Sequence, residues 1–259
     1  ELKIDRIGGK GDGISQKDNK FFFIPGTLPG EKVIIRPLLR TSEGIFGQLN
    51  EVILSSNDRV EAPCAYFGSC GGCALQHWND NSYQKWKYSR VVNSIENIRS
   101  KDTFVENLIP AKLGTRRRAE LSIKQLKSKS IIGFHERESN RIIDIEVCSV
   151  LHPSFFKFAS SFRNISRHLL HPGESARASI NLLDTGMDVL LFLPNEPTLE
   201  GLEAINEIAN IHNLCRVSVR LHSSNNPDQT IPILNRTPAT ITFSGVEVTP
   251  PPGTFLQAT

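Results

Sequence analysis

Cys64, Cys70 and Cys73 stand in one short segment, PCAYFGSCGGC, with five and then two residues between them, and a fourth cysteine, Cys148, lies far downstream in DIEVCSVL. Gly68, Gly71 and Gly72 let such a segment fold its thiolates around one centre. Thiolates this crowded suit a metal better than a pair of disulfide bridges, which need specific separations. Four thiolates accept either Zn2+ or an iron–sulfur cluster. Structural zinc usually takes two short ligand pairs, whereas three cysteines in one loop plus a solitary fourth form the three-plus-one arrangement of a [4Fe-4S] cube. The zinc alternative stays open, with His77, shortly after Cys73, in place of Cys148. A cluster with four protein ligands has no open iron, so the chemistry expected is structural stapling rather than Lewis-acid catalysis. The five-then-two spacing also differs from the three-then-two spacing of enzymes that reserve one iron for S-adenosylmethionine.

Nothing else forms a nucleophilic constellation. The chain has no G-x-S-x-G elbow and no helical histidine pair, and His135, His152 and His222 stand alone. GGKGDG looks like a dinucleotide loop but fails, because the third glycine position is Ile14 and a strand follows rather than a helix. The fifth cysteine, Cys215, sits in the apolar stretch LCRVSVRL as a bystander. These residues read as binding rather than transforming.

The elements that must position the cysteines follow from periodicity. Residues 1–58 carry short strands separated by glycine turns, including FFFIP and EKVIIRPL, and predict an OB-like β-barrel. The cysteine loop comes next, then a helix over about 80–99 with Tyr83, Trp86, Val91, Ile95 and Ile98 in a stripe. AELSIKQLKSKSIIGFHE predicts a hairpin turning at Lys127–Lys129, and RIIDIEVCSVL a strand carrying Cys148 toward the metal loop. Pro153 starts a helix whose Phe155, Phe158, Phe162, Ile165 and Leu169 make a core stripe. A second hairpin turns at Asp184–Gly186, Thr198 caps another helix, and CRVSVRL, TIPIL and ATITFS add strands. The expected fold class is α+β: the barrel, then a central α/β domain over 59–248 holding the metal loop, then residues 249–259.

A formal net charge of +3 permits a nucleic-acid partner without requiring one. Arg116, Arg117 and Arg118 are consecutive, and Lys85, Lys87 and Arg90 share a short segment. No run of about 18 apolar residues could span a membrane, and the N-terminus has no signal-peptide pattern. A soluble, cytoplasmic protein is expected, in a compartment that keeps thiols reduced. The chain starts without methionine and stops just after TPPPGTFLQAT, so a fragment is expected.

PCAYFGSCGGCALQHW with Cys148, KGDG...FFFIPGTLPGEKV, TRRRAELSIK, IGFHERESNRIIDIEVCSVLHP, LLDTGMDVLLF and PPGTFLQAT together resemble, in this order, the iron–sulfur RNA uracil-5-methyltransferases that modify 23S rRNA. The resemblance runs over essentially the whole chain. It implies an N-terminal TRAM domain that grips RNA, a central domain with a [4Fe-4S] cluster on Cys64, Cys70, Cys73 and Cys148, and a Rossmann-like domain, beginning at 249–259, that binds S-adenosylmethionine. It further implies a monomeric parent, a cofactor contact by Gln257, and packing of residues 80–110 on the catalytic domain. In this chemistry uracil C5 becomes nucleophilic only after a cysteine thiolate adds at C6. The resemblance puts that cysteine beyond Thr259, so the fragment alone is expected to be inactive. RNA contacts are expected from the barrel and Arg116–Arg118, with Phe21, Phe22 or Tyr66 stacking on bases. The alternative is a free-standing RNA-binding protein in which an Fe–S or Zn site holds the fold.

Overall fold

The computed structural model describes residues 1–222 and 229–259, which form two compact units, Glu1–Pro110 and Ala111–Thr259.

In the first unit, β1 (Leu2–Lys3), β2 (Arg6–Ile7), β3 (Gly13–Lys17), β4 (Lys20–Ile24), β5 (Lys32–Arg40) and β6 (Ile45–Leu54) make a six-stranded sheet ordered β1-β5-β6-β4-β3-β2. Alternate residues Leu2, Ile4, Ile24 and Val33 are buried in its core, with Phe22, Ile35, Leu49 and Val52 packed against them. A closed barrel ladder is not formed. Instead one short segment serves both borders: Leu2 pairs with Val33 on β5, while Arg6 pairs with Ile14 on β3. Between them the backbone of Ile4 bonds to Glu31 and Gly30, and the Asp5 amide donates to the Ile14 carbonyl. The two-residue strands are too short to sustain a ladder through the bend at Ile4 and Asp5.

The helix α1 spans Asp80–Ile95, four residues shorter than expected; Asn79 caps it by accepting from the Asn81 amide. None of its residues is fully buried. Tyr83 and Trp86 pack on a small cluster of Ile7, Leu28 and Trp78, whereas Val91 is 50% exposed and Ile98 81% exposed.

The second unit is a seven-stranded sheet built from β7 (Arg118–Gln125), β8 (Ser130–His135), β9 (Ile142–Asp144), β10 (Ser175–Leu183), β11 (Gly186–Leu193), β12 (Leu214–Leu221) and β13 (Ile231–Asn235). Its order is β13-β12-β11-β10-β7-β8-β9. All neighbours are antiparallel except β11 and β12, which are joined through α3 (Leu199–Ile211) as a parallel crossover needs. Thr198 caps α3 by accepting from the Gly201 amide. Strand β9 stops at Asp144, so Cys148 lies in the following loop and not on a strand. The last two strands, β14 (Ile241–Phe243) and β15 (Val246–Val248), form a separate hairpin.

Alternation sorts this sheet into two unlike faces. Leu121 and Ile123, Ala178 and Ile180, Val189 and Leu191, and Val217 and Val219 point into one core with Phe155, Phe158 and Phe162 of α2 (Ser154–Ile165) and Ile205 and Ile208 of α3. Burying each of the three phenylalanines contributes on the order of 1.5–3 kcal/mol. The opposite face is polar, and it carries the residues described next.

Candidate nucleic-acid interface and cysteine loop

Strand register sets the polar face of the second unit in three cross-strand rows. Arg118, Asn181, Asp188 and Arg216 are successive partners from β7 to β12; Glu120, Ser179, Leu190 and Ser218 form the next row; Ser122, Arg177, Phe192 and Arg220 form the third. Cross-strand partners on one face lie within side-chain reach, so the rows become physical contacts.

In the first row Arg216 grips the buried Asp188 with two bonds of 2.8 Å and also donates to the Pro250 carbonyl at 2.7 Å. Asn181 donates to the Thr254 carbonyl at 3.1 Å, the Arg117 amide donates to the Ala258 carbonyl at 2.6 Å, and the Arg118 guanidinium lies 4.2 Å over the Phe255 ring. Leu256 packs with Leu183, Cys215, Ala239 and Ile241. The segment PPPGTFLQAT is thus laid across this row, leaving Gln257 exposed.

The three consecutive arginines have different fates. Arg117 is committed to the Asp184 carboxylate at 2.9 Å and to the Leu182 carbonyl. That ion pair, helped by the Thr242 amide, holds the Asp184 carboxyl below the usual carboxylate range. Arg116 donates through Nε to the Arg118 carbonyl, and Arg118 stacks under Phe255. All three are half-buried, so the run is not one solvated cationic stripe.

The third row carries a cation–aromatic sandwich that the sequence alone did not reveal. Arg177 lies 3.8 Å from the Phe192 ring centroid and Arg220 lies 5.5 Å from it. The only signal in the sequence is the alternation of Arg216, Ser218 and Arg220 with valines in CRVSVRL, and the pairing with Arg177 comes from the register.

In the first unit, the expected stacking residues divide. Phe22 packs against the sheet core, as a core strand demands, whereas Phe21 is 37% exposed beneath the Arg6 guanidinium. Tyr66 lies in the cysteine loop, where its carbonyl accepts from the Ser69 and Cys70 amides. Trp86 is flanked by Arg90 and Lys87 at 5.4 and 6.0 Å, so this basic segment is anchored to an aromatic ring.

The cysteine loop packs against the glycine turn that failed as a dinucleotide loop. Gly11, at φ +86°, sits so close that a side chain there would meet Ala74 at 3.0 Å. Cys64, Cys70 and Cys73 are half-buried and form no disulfide, and the Gly72 amide donates to Cys70 Sγ at 3.4 Å. The donor chemistry fits iron–sulfur ligation, whose sulfurs accept amide hydrogen bonds. The expected ligand cage is nevertheless not assembled: among the described residues no three His, Cys, Asp or Glu side chains are grouped as a metal site. Cys148, in the second unit, is likewise half-buried and forms no disulfide. His77 is buried, and neither ring nitrogen makes a hydrogen bond of normal geometry, the Thr27 backbone offering only a weak interaction. Burial, reinforced by the Arg59 charge, lowers its pKa to about 4, which keeps the ring neutral.

Cys215 is 1% exposed, its thiol donates to the Met187 carbonyl, and burial pushes its pKa up. Such a thiol is a packing group, not a nucleophile.

No protein-family model matches the chain. It is similar to an uncharacterized RNA methyltransferase of Rhizobium meliloti (strain 1021), 32% identical over the whole of this chain and 60% of the relative. It is also similar to the 23S rRNA (uracil(1939)-C(5))-methyltransferase of Marinomonas posidonica, 34% identical over 75% of this chain and 44% of that protein. The fold matches the crystal structure of the Pyrococcus abyssi tRNA (uracil-54, C5)-methyltransferase in complex with S-adenosyl-L-homocysteine, with a TM-score of 0.68 at 18% identity, over 99% of this chain and 61% of that one. The chain therefore spans about 60% of the length of the relatives that it matches end to end.

Proposed function

We propose that this chain is the RNA-gripping and cysteine-bearing part of an S-adenosylmethionine-dependent RNA uracil-C5 methyltransferase acting on 23S rRNA in the cytoplasm. The observation that carries the proposal is end-to-end similarity to RNA methyltransferases combined with a matching fold. In this reading residues 1–58 of the first unit are the TRAM-like RNA grip. Arg116, Arg117 and Arg118 would border the RNA strand, with Arg117 held in place by Leu182 and Asp184 and Arg118 by its stack with Phe255.

Cys64, Cys70, Cys73 and Cys148 would hold a [4Fe-4S] cluster, whose contribution when bound is to cross-link the fold. Their lack of disulfide bonds and the amide aimed at Cys70 support this assignment. Gln257 would contact S-adenosylmethionine from the segment anchored on the polar sheet face, where it is exposed. The residues of this chain bind and orient; the thiolate addition at C6 is not assigned to Cys215, whose burial forbids it.

The test is a methyl-transfer assay with the whole polypeptide, tritiated S-adenosylmethionine and unmodified 23S rRNA, followed by mapping of 5-methyluridine. Label in uridine C5 is expected. Tight RNA binding with no methyl transfer would instead favour a free-standing RNA-binding protein.

A further inference from the structure

The polar sheet face of the second unit is divided. Its first row lies under the segment around Pro250–Phe255, while Ser122 and Arg177 of the third row line a concavity of about 670 Å3. That hollow is lined by Lys124, His135, Asn140, Arg141, Arg177 and His222, together with serine and aliphatic side chains, and among the described residues no carboxylate lines it. Glu120 stands beside it and accepts from Arg177 at 3.1 Å, but both side chains are almost half exposed, at 45% and 44%, where such a pair is weak.

Two features preorganise the hollow. Phe192 holds the Arg177 guanidinium at 3.8 Å from its ring centroid, which reduces the ordering cost of binding for that long side chain. Ser122 Oγ lies 2.9 Å from His135 Nε2, which orients the ring at the wall of the hollow. Planar guanidiniums offer forked donors for phosphate and flat faces for bases. A small anion would need fewer cations in a tighter enclosure, whereas a strand laid along an open sheet meets all of these groups in succession.

We infer that this hollow, lined by Lys124, His135, Arg141 and an Arg177 that is itself stacked on Phe192, binds single-stranded RNA through its phosphodiesters, apart from the Arg116–Arg118 region. The inference rests on the RNA reading above and adds a second contact surface to it.

Binding of a labelled oligouridylate to the whole polypeptide, measured by fluorescence anisotropy across a salt series, tests it. The double variant Lys124→Glu with Arg141→Glu alters two exposed residues; it should weaken binding about tenfold and make the salt dependence shallower by about 1.4 in log–log slope, two single-strand phosphates at about 0.7 each. Arg177→Gln, which cannot stack or fork in the same way, should weaken binding about threefold and reduce the slope by about 0.7. Unchanged affinity and slope in both variants, with wild-type binding intact, would overturn this inference alone. So would displacement of the oligonucleotide by millimolar inorganic phosphate at constant ionic strength, which would mark a small-anion site. If the unaltered protein binds no RNA at all, the RNA methyltransferase reading itself fails.

Discussion

Arg216 and Asp188 are bound face to face across adjacent strands, Nε to Oδ1 and Nη2 to Oδ2, each at 2.8 Å, with Asp188 only 1% exposed. The same guanidinium holds the Pro250 carbonyl, so one side chain neutralises a buried carboxylate and ties down the C-terminal segment. Replacing Arg216 with Ala leaves Asp188 buried and unpaired, and should destabilise the protein by about 3–5 kcal/mol in urea unfolding. Amide exchange of residues 250–258 should quicken in the same variant.

A second buried pair predicts acid sensitivity. Glu31 is fully buried; burial alone would raise its pKa, but Arg59 at 2.6 and 2.8 Å and the Leu28 and Ser56 amides reverse the shift and leave it lowered. A carboxylate with a lowered folded pKa contributes stability that is present above its unfolded value, about 4.3, and lost as pH falls through the folded value. Thermal melts should therefore show a loss below about pH 4.3 that Glu31→Gln flattens, and Arg59→Ala should cost about 3–5 kcal/mol at neutral pH.

The cysteine assignment predicts a metal content. Protein purified without oxygen should carry iron and acid-labile sulfide with a broad visible absorbance, and Cys70→Ala should abolish all three while Cys215→Ala leaves them intact. Stoichiometric zinc without sulfide would remove the cluster assignment.

Gln257→Ala in the whole polypeptide should raise the KM for S-adenosylmethionine several-fold, on the order of one lost hydrogen bond, and leave the affinity for RNA unchanged. Equal loss in both would reassign this segment to the RNA.

Local pattern made much of this fold legible. Pro153 with its phenylalanine stripe, the Lys127–Lys129 and Asp184–Gly186 turns, and the Thr198 cap are dictated by residues close in sequence, and each appears where periodicity put it. The failures are non-local. Whether Leu2–Ile7 would close a barrel depended on pairing with strands on both borders, and Cys148 fell outside a strand because β9 has only three residues. The four cysteines were conspicuous through spacing, whereas the Arg177–Phe192–Arg220 stack was invisible, because its members are neighbours only through strand register. The arginine run hid its differences for the opposite reason: adjacency in sequence concealed that Arg117 is paired with Asp184 while Arg118 stacks on Phe255.

The double service of Leu2–Ile7 has a consequence for how the molecule is made and kept. This segment precedes the other strands of its sheet along the chain, yet each half of it needs a different partner strand before it can settle, so it is the late clasp of its sheet. Clipping it away would bare β5 and β3 together, two flanks of unsatisfied amides and carbonyls that would recruit the same clasp from another molecule.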